Sequence, residues 1–236
     1  MAKMSHREKL MKAWLIRKLK SQGYLTYAKI LREFDVNIWP RNYPGVAAIN
    51  ASEGVFYINE GVDDEQASVV IRHEILHAFL KHQRRGIAYL KKERGIDVSQ
   101  MNEDEIANLD NDLMHDLYND TIKAGDVLGK PQDTRSVHIG NIAGDFEISN
   151  KGYTEKDKEV VRSLKLNGEL VGGLVTEDTH PEWAEMSYEE MYDELAKLRR
   201  KEEQEDTDDV VLGAIDIDDD PSTFVGLDGK VYGVWD

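Results

Sequence analysis

The sixteen residues from Ala67 to His82, ASVVIRHEILHAFLKH, constrain this chain more than any other stretch. Wound as an α-helix they are apolar almost all round, and such a helix belongs in the centre of a domain. Yet the run carries His73, Glu74 and His77 in the pattern HExxH. His77 lies only about 40° round the helix from His73, one turn along, so both imidazoles reach one point in space. Glu74 is offset enough to hold a water at that point. Two histidines and a glutamate in an apolar helix are costly to bury without a partner. A metal ion satisfies all three, as in zinc hydrolases, where the carboxylate takes and relays the proton of an activated water.

Two histidines leave a third protein ligand to find. His82 lies about 180° round from His73 and cannot share the ion unless the helix breaks. Leu80 and Gln83 stand where the metzincin pattern needs glycine and histidine, which excludes that class. Further on, NIAGDFEISN (residues 141–150) puts Asp145 and Glu147 in a short, otherwise apolar helix. They sit about 200° apart, so only one can face the metal, and spacing alone leaves both as candidates. His138 is placed to donate a hydrogen bond or substitute as ligand, but reads first as a loop or supporting residue, like His115 and His180. Tyr118 and Tyr153 are candidate oxyanion donors.

Composition narrows the setting. The 236 residues contain no cysteine, so any metal site must use nitrogen and oxygen ligands. The formal charge of -16 argues against a generic nucleic-acid binder. No apolar run approaches the length of a membrane span, and Ala13–Ile16 is too short for a signal peptide, so a cytoplasmic location is expected. The charge is uneven. Residues 1–41 carry ten Lys or Arg against three acids, whereas Glu202–Asp220 holds ten acids and no base. The chain therefore divides into a basic helical region (1–41), a central domain (42–201), an acidic linker or tail (202–220) and a small C-terminal hairpin around Asp228–Gly229 (221–236). Asp216, Asp218 and Asp220 open like a calcium loop, but Pro221 and Leu227 stand where glycine and glutamate are needed.

Periodicity predicts helices over Ser5–Lys20 and Tyr24–Glu33, with Leu10 and Trp14 on the buried side of the first. Short strands follow at Val36–Trp39, Val46–Ile49 and Val55–Ile58, the last pair a hairpin. Asp63 and Gln66 form a candidate capping box for the HExxH helix. Further helices are expected at Glu103–Ile122, Asn141–Ser149, Glu155–Leu166 and Tyr188–Arg200, the last started by Ser187 and Glu190.

The run FYINEG…EQASVVIRHEILHAFLKHQRR, then NIAGDFEIS, then MSYEEMYDEL, resembles a metallopeptidase domain of bacteria and bacteriophages. In many bacterial members that domain precedes a von Willebrand A-like domain. The matching positions are Asn59, His73, Glu74, His77, His82, Arg84, Ala143, Asp145, Ser187, Glu190 and Tyr192, and the likeness covers about residues 45–200. It implies a zincin-like fold of the α+β class, mostly helical with a small sheet or hairpin in its N-terminal half. It also implies Asp145, not Glu147, as third ligand. Ser149 departs from the asparagine usual in the family, and no von Willebrand A-like domain follows. The stand-alone form is closer to the phage members, which would place the protein in the host cytoplasm.

The expectation is thus a zinc metallopeptidase binding one ion through His73, His77 and Asp145, with Glu74 as general base and then acid. Its partner would be a peptide or protein substrate lying extended along Val55–Ile58. The alternative is a non-catalytic binding or structural protein, of phage origin on the resemblance, that keeps the metal for stability.

Overall fold

The structure, a computed structural model, describes residues 4–128, 136–212, 223–225 and 231–233. It is mostly helical, α+β, with sheets of two or three strands. The chain forms two units, Met1–Lys197 and Leu198–Asp236. Among the described residues no helix is long and apolar enough to cross a membrane.

The first unit opens with α1 (His6–Ser21), started by a capping box between Ser5 and Glu8, and α2 (Leu25–Arg32). Leu15 and Leu19 of α1 and Ala28 and Leu31 of α2 are wholly buried against Phe56, Ile71 and Ile75. The basic segment therefore shares one core with the HExxH helix, with its lysines mostly turned outward. Leu10 is not part of that core. It is 57% exposed, and Met11 and Trp14 pack instead.

Strands β1 (Asp35–Trp39), β2 (Ala47–Asn50) and β3 (Val55–Asn59) form a sheet in the order β1-β3-β2. β3 pairs parallel with β1 and antiparallel with β2. Val55–Ile58 is consequently the centre of the sheet, not its edge, and a peptide cannot add there. The edge beside the HExxH helix is β2. Buried Asn59 closes the end of β3 by donating to the carbonyls of Tyr43 and Gly45 and accepting from the Gly61 amide.

The HExxH helix, α3 (Ala67–Phe79), starts without the expected capping box. The Gln66 side chain instead donates to the Ser163 carbonyl and accepts from the Lys165 amide. α3 stops at Leu80, and Lys81 takes a left-handed conformation with φ 57°. An additional helix, α4 (His82–Glu93), follows at once. α5 (Glu103–Asn119) ends before Ile122, because Thr121–Lys123 become strand β4. The short α6 (Ala124–Leu128) comes next, and β4 pairs with β5 (Ser136–His138).

Helix α7 (Ile139–Gly152) carries both acidic candidates and packs across α3 and α4. α8 (Glu155–Arg162) is pinned to α3 by the buried ion pair of Arg72 with Asp157. It ends short of Leu166, where β6 (Lys165–Leu166) and β7 (Glu169–Leu170) make a small ribbon. After α9 (Thr176–Thr179), the capping box of Ser187 and Glu190 starts α10 (Tyr188–Leu212). α10 runs beyond Arg200, so the acidic segment is helical as far as Leu212. In the second unit, β8 (Thr223–Val225) pairs antiparallel with β9 (Val231–Gly233). The predicted turn at Asp228–Gly229 lies outside the described residues.

Candidate metal centre

Three side chains that could ligate a metal ion meet where α3 faces α7. His73 Nε2, His77 Nε2 and Asp145 Oδ1 form a triangle whose three edges are each 3.0 Å. A point about 2.0–2.1 Å from all three atoms, the bond length zinc makes to nitrogen and carboxylate oxygen, lies just outside its plane. The donor set therefore fits a small divalent ion. Among the described residues this is the one group of three such side chains. Nitrogen and oxygen donors do not by themselves select zinc.

Each histidine is held from behind. His73 Nδ1 lies 2.6 Å from the Tyr153 hydroxyl. His77 Nδ1 lies 2.9 Å from His82 Nδ1, and His82 Nε2 lies 2.9 Å from Glu147 Oε2. Burial tends to raise the Glu147 carboxyl, but hydrogen bonds from Lys151, Arg85 and His82 outweigh it and keep it ionised. Burial and neighbouring His77 push His82 down to about 4, against the pull of Glu147, so its ring is neutral near pH 7. A neutral ring donating from Nε2 to a carboxylate must accept at Nδ1. With an ion bound, His77 would then donate from its own Nδ1 and present its Nε2 lone pair to the metal.

Glu147 and Asp145 therefore do different jobs on opposite faces of α7. Asp145 meets the histidines, while Glu147, 2% exposed, braces one of them through His82. Arg85 pairs with Glu147 and holds Glu189 of α10 through two bonds of 3.0 and 2.9 Å. The Tyr188 ring stacks on His82 at 5.2 Å. Room for these rings depends on Gly144, where an added Cβ would sit 2.7 Å from His82 Nδ1 and 3.0 Å from His77.

For Asp145, burial raises the carboxyl, but hydrogen bonds to both histidines more than reverse this and hold it well below the usual range. Glu74 goes the other way: burial raises it, the histidines pull it down, and the net shift is upward. A bound dication would pull both carboxyls lower. The site opens into a cleft of about 350 Å³, walled by β2 on one side and by Gln83, Tyr118 and Asn141 on the other.

The remaining candidates fall into place. Tyr153 faces the back of His73, so its hydroxyl is a brace for that ring. Tyr118, 43% exposed, reaches the cleft and accepts from Gln83 Nε2 at 3.1 Å. His138 stays outside the triangle, its ring edge-on to Tyr118 at 5.9 Å. His180 is stacked on Trp183 and His115 is exposed beside Asn119. The brace formed by His82, Arg85, Glu147 and Glu189 was missed, because its members meet only once α3 has broken and α4, α7 and α10 have packed. One local signal existed: a glutamate in an apolar helix, which needs partners. Scans against protein-family models, curated proteins and solved structures each return no match.

Proposed function

We propose that this chain is a metal-dependent peptidase, with zinc as the ion and His73, His77 and Asp145 as its ligands. The observation that carries this reading is the donor triangle beside Glu74, set in a cleft walled by the free edge of β2. The resemblance to a metallopeptidase domain, carried in part by these same residues, is in keeping with it. Zinc, when bound, polarises a carbonyl and makes water acidic near neutral pH. The chain supplies the rest. The backbone of β2 pairs with an extended substrate and holds it across the triangle. Glu74, raised by burial, takes a proton from the attacking water and returns it to the leaving amine. Tyr118 lines the same cleft and is the candidate hydrogen-bond donor to the substrate oxygen. The cytoplasmic location expected above belongs to this proposal.

The test is Glu74→Gln. That protein should bind zinc like the wild type and lose hydrolysis of a quenched-fluorescent peptide library; cleavage at the wild-type rate would overturn the mechanism. The non-catalytic alternative draws on the ligands coming from two helices, which an ion would clasp together. It is favoured if the zinc-loaded wild type cleaves nothing while zinc removal unfolds it.

A further inference from the structure

His73 and Glu74 line two cavities, and Asp145 borders both of these and a third. Besides the cleft, they border a second space of about 200 Å³ between α3, α8 and the loop before α9. Its walls are aliphatic: Val69 and Val70 from α3, Val160 and Val161 from α8, then Leu164 and Leu174. Among the described residues, the one polar side chain there besides the site residues is Tyr153, whose hydroxyl is engaged with His73. Val69 and Val161 are buried, but Val160, Leu164 and Leu174 are only half-buried, so the space is not sealed from solvent. The loop closes against α8 through a glycine. At Gly173 a Cβ would sit 2.4 Å from Val161 Cγ1.

The position of this space relates it to the cleft. Val46, the residue immediately before edge strand β2, lines it. A chain laid along β2 and crossing the donor triangle therefore brings one side chain to its mouth. We propose that this cavity is the specificity pocket of the same site, receiving a medium-sized apolar side chain from the residue next to the cleaved bond. The inference rests on the peptidase reading and names its substrate class: peptides with leucine, methionine or phenylalanine at that position. An apolar cavity of about 150 Å³ can hold benzene, so this one admits an isobutyl or benzyl group. A carboxylate would be desolvated there beside the Glu74 and Asp145 carboxylates, which repel it.

The test uses the zinc-loaded full chain and calorimetry with three hydroxamates, which chelate zinc without being turned over. Acetohydroxamate reports the metal alone. Two peptide-like hydroxamates differ only in an isobutyl or a carboxymethyl side chain. The isobutyl compound should bind about 10–100-fold more tightly than its carboxymethyl twin. Val160→Phe, which fills the pocket, should abolish that preference and leave acetohydroxamate binding unchanged. Leu174→Ala, on the loop rather than on α8, should move the preference towards a benzyl analogue. Equal binding of the isobutyl and carboxymethyl compounds, with acetohydroxamate still bound, overturns the pocket and leaves the peptidase reading standing. Failure of zinc-loaded protein to bind acetohydroxamate overturns both.

Discussion

His82 Nδ1 stands 2.9 Å from Nδ1 of His77, so that His77 turns its other nitrogen, Nε2, to the donor triangle. Because His82 also donates to buried Glu147, the ligand ring is oriented by a carboxylate two hydrogen bonds away.

His82→Phe keeps a ring stacked against Tyr188 but removes both nitrogens. Loss of a partner behind a ligand typically weakens metal affinity by about 10–100-fold. Competition with a chromophoric chelator should show a loss of that size. Unchanged affinity would mean that His77 needs no brace.

Gly144→Ala discriminates between two opposite outcomes. Without a close approach, alanine inside α7 would stabilise the helix by about 1 kcal/mol. With His82 and His77 against the position, overpacking costs about 1–3 kcal/mol. Urea denaturation should show a net loss of up to about 2 kcal/mol.

Arg72 and Asp157 form a buried pair, both side chains about 5% exposed, and removing one partner of such a pair costs about 3–5 kcal/mol. Asp157→Asn should be destabilised accordingly at neutral pH. Burial raises the Asp157 carboxyl, but bonds from Arg72 and Thr154 outweigh it, so the folded pKa is depressed. The stability it contributes is then complete above the unfolded value of about 3.9 and is lost as pH falls through the lower folded value. The gap between wild type and Asp157→Asn in unfolding free energy should narrow below about pH 4. A gap independent of pH would refute the linkage.

Chelation should lower the melting temperature. Zinc at a hundred times its dissociation constant adds about 2.7 kcal/mol, which for a chain of this size is roughly 5–10 °C. Differential scanning fluorimetry with and without EDTA reads the shift. Asp145→Asn should abolish it.

Local periodicity made α3 legible, since two ligands one turn apart need only a helix. The face of α7 was not legible the same way. Spacing separated Asp145 from Glu147, but which of them meets α3 depends on how two helices dock. The break at Lys81 had no local cause to announce it, being neither glycine, asparagine nor a residue before proline, and α4 was missed with it. Gln66 shows tertiary structure overriding a local motif, its amide drawn to Ser163 and Lys165 instead of the helix start. The free edge was misplaced for a related reason. β1 joins the sheet in parallel, a long-range pairing that leaves no trace in the alternation of β3 itself.

Three neighbouring positions on α7 leave little latitude for mutational drift. Position 144 has no space for a side chain, 145 must carry a short carboxylate towards α3, and 147 must carry one towards His82. A one-residue insertion or deletion just before this turn would rotate α7 by about 100° and misdirect both carboxylates at once. Laboratory variation of this protein should therefore find the turn almost immutable.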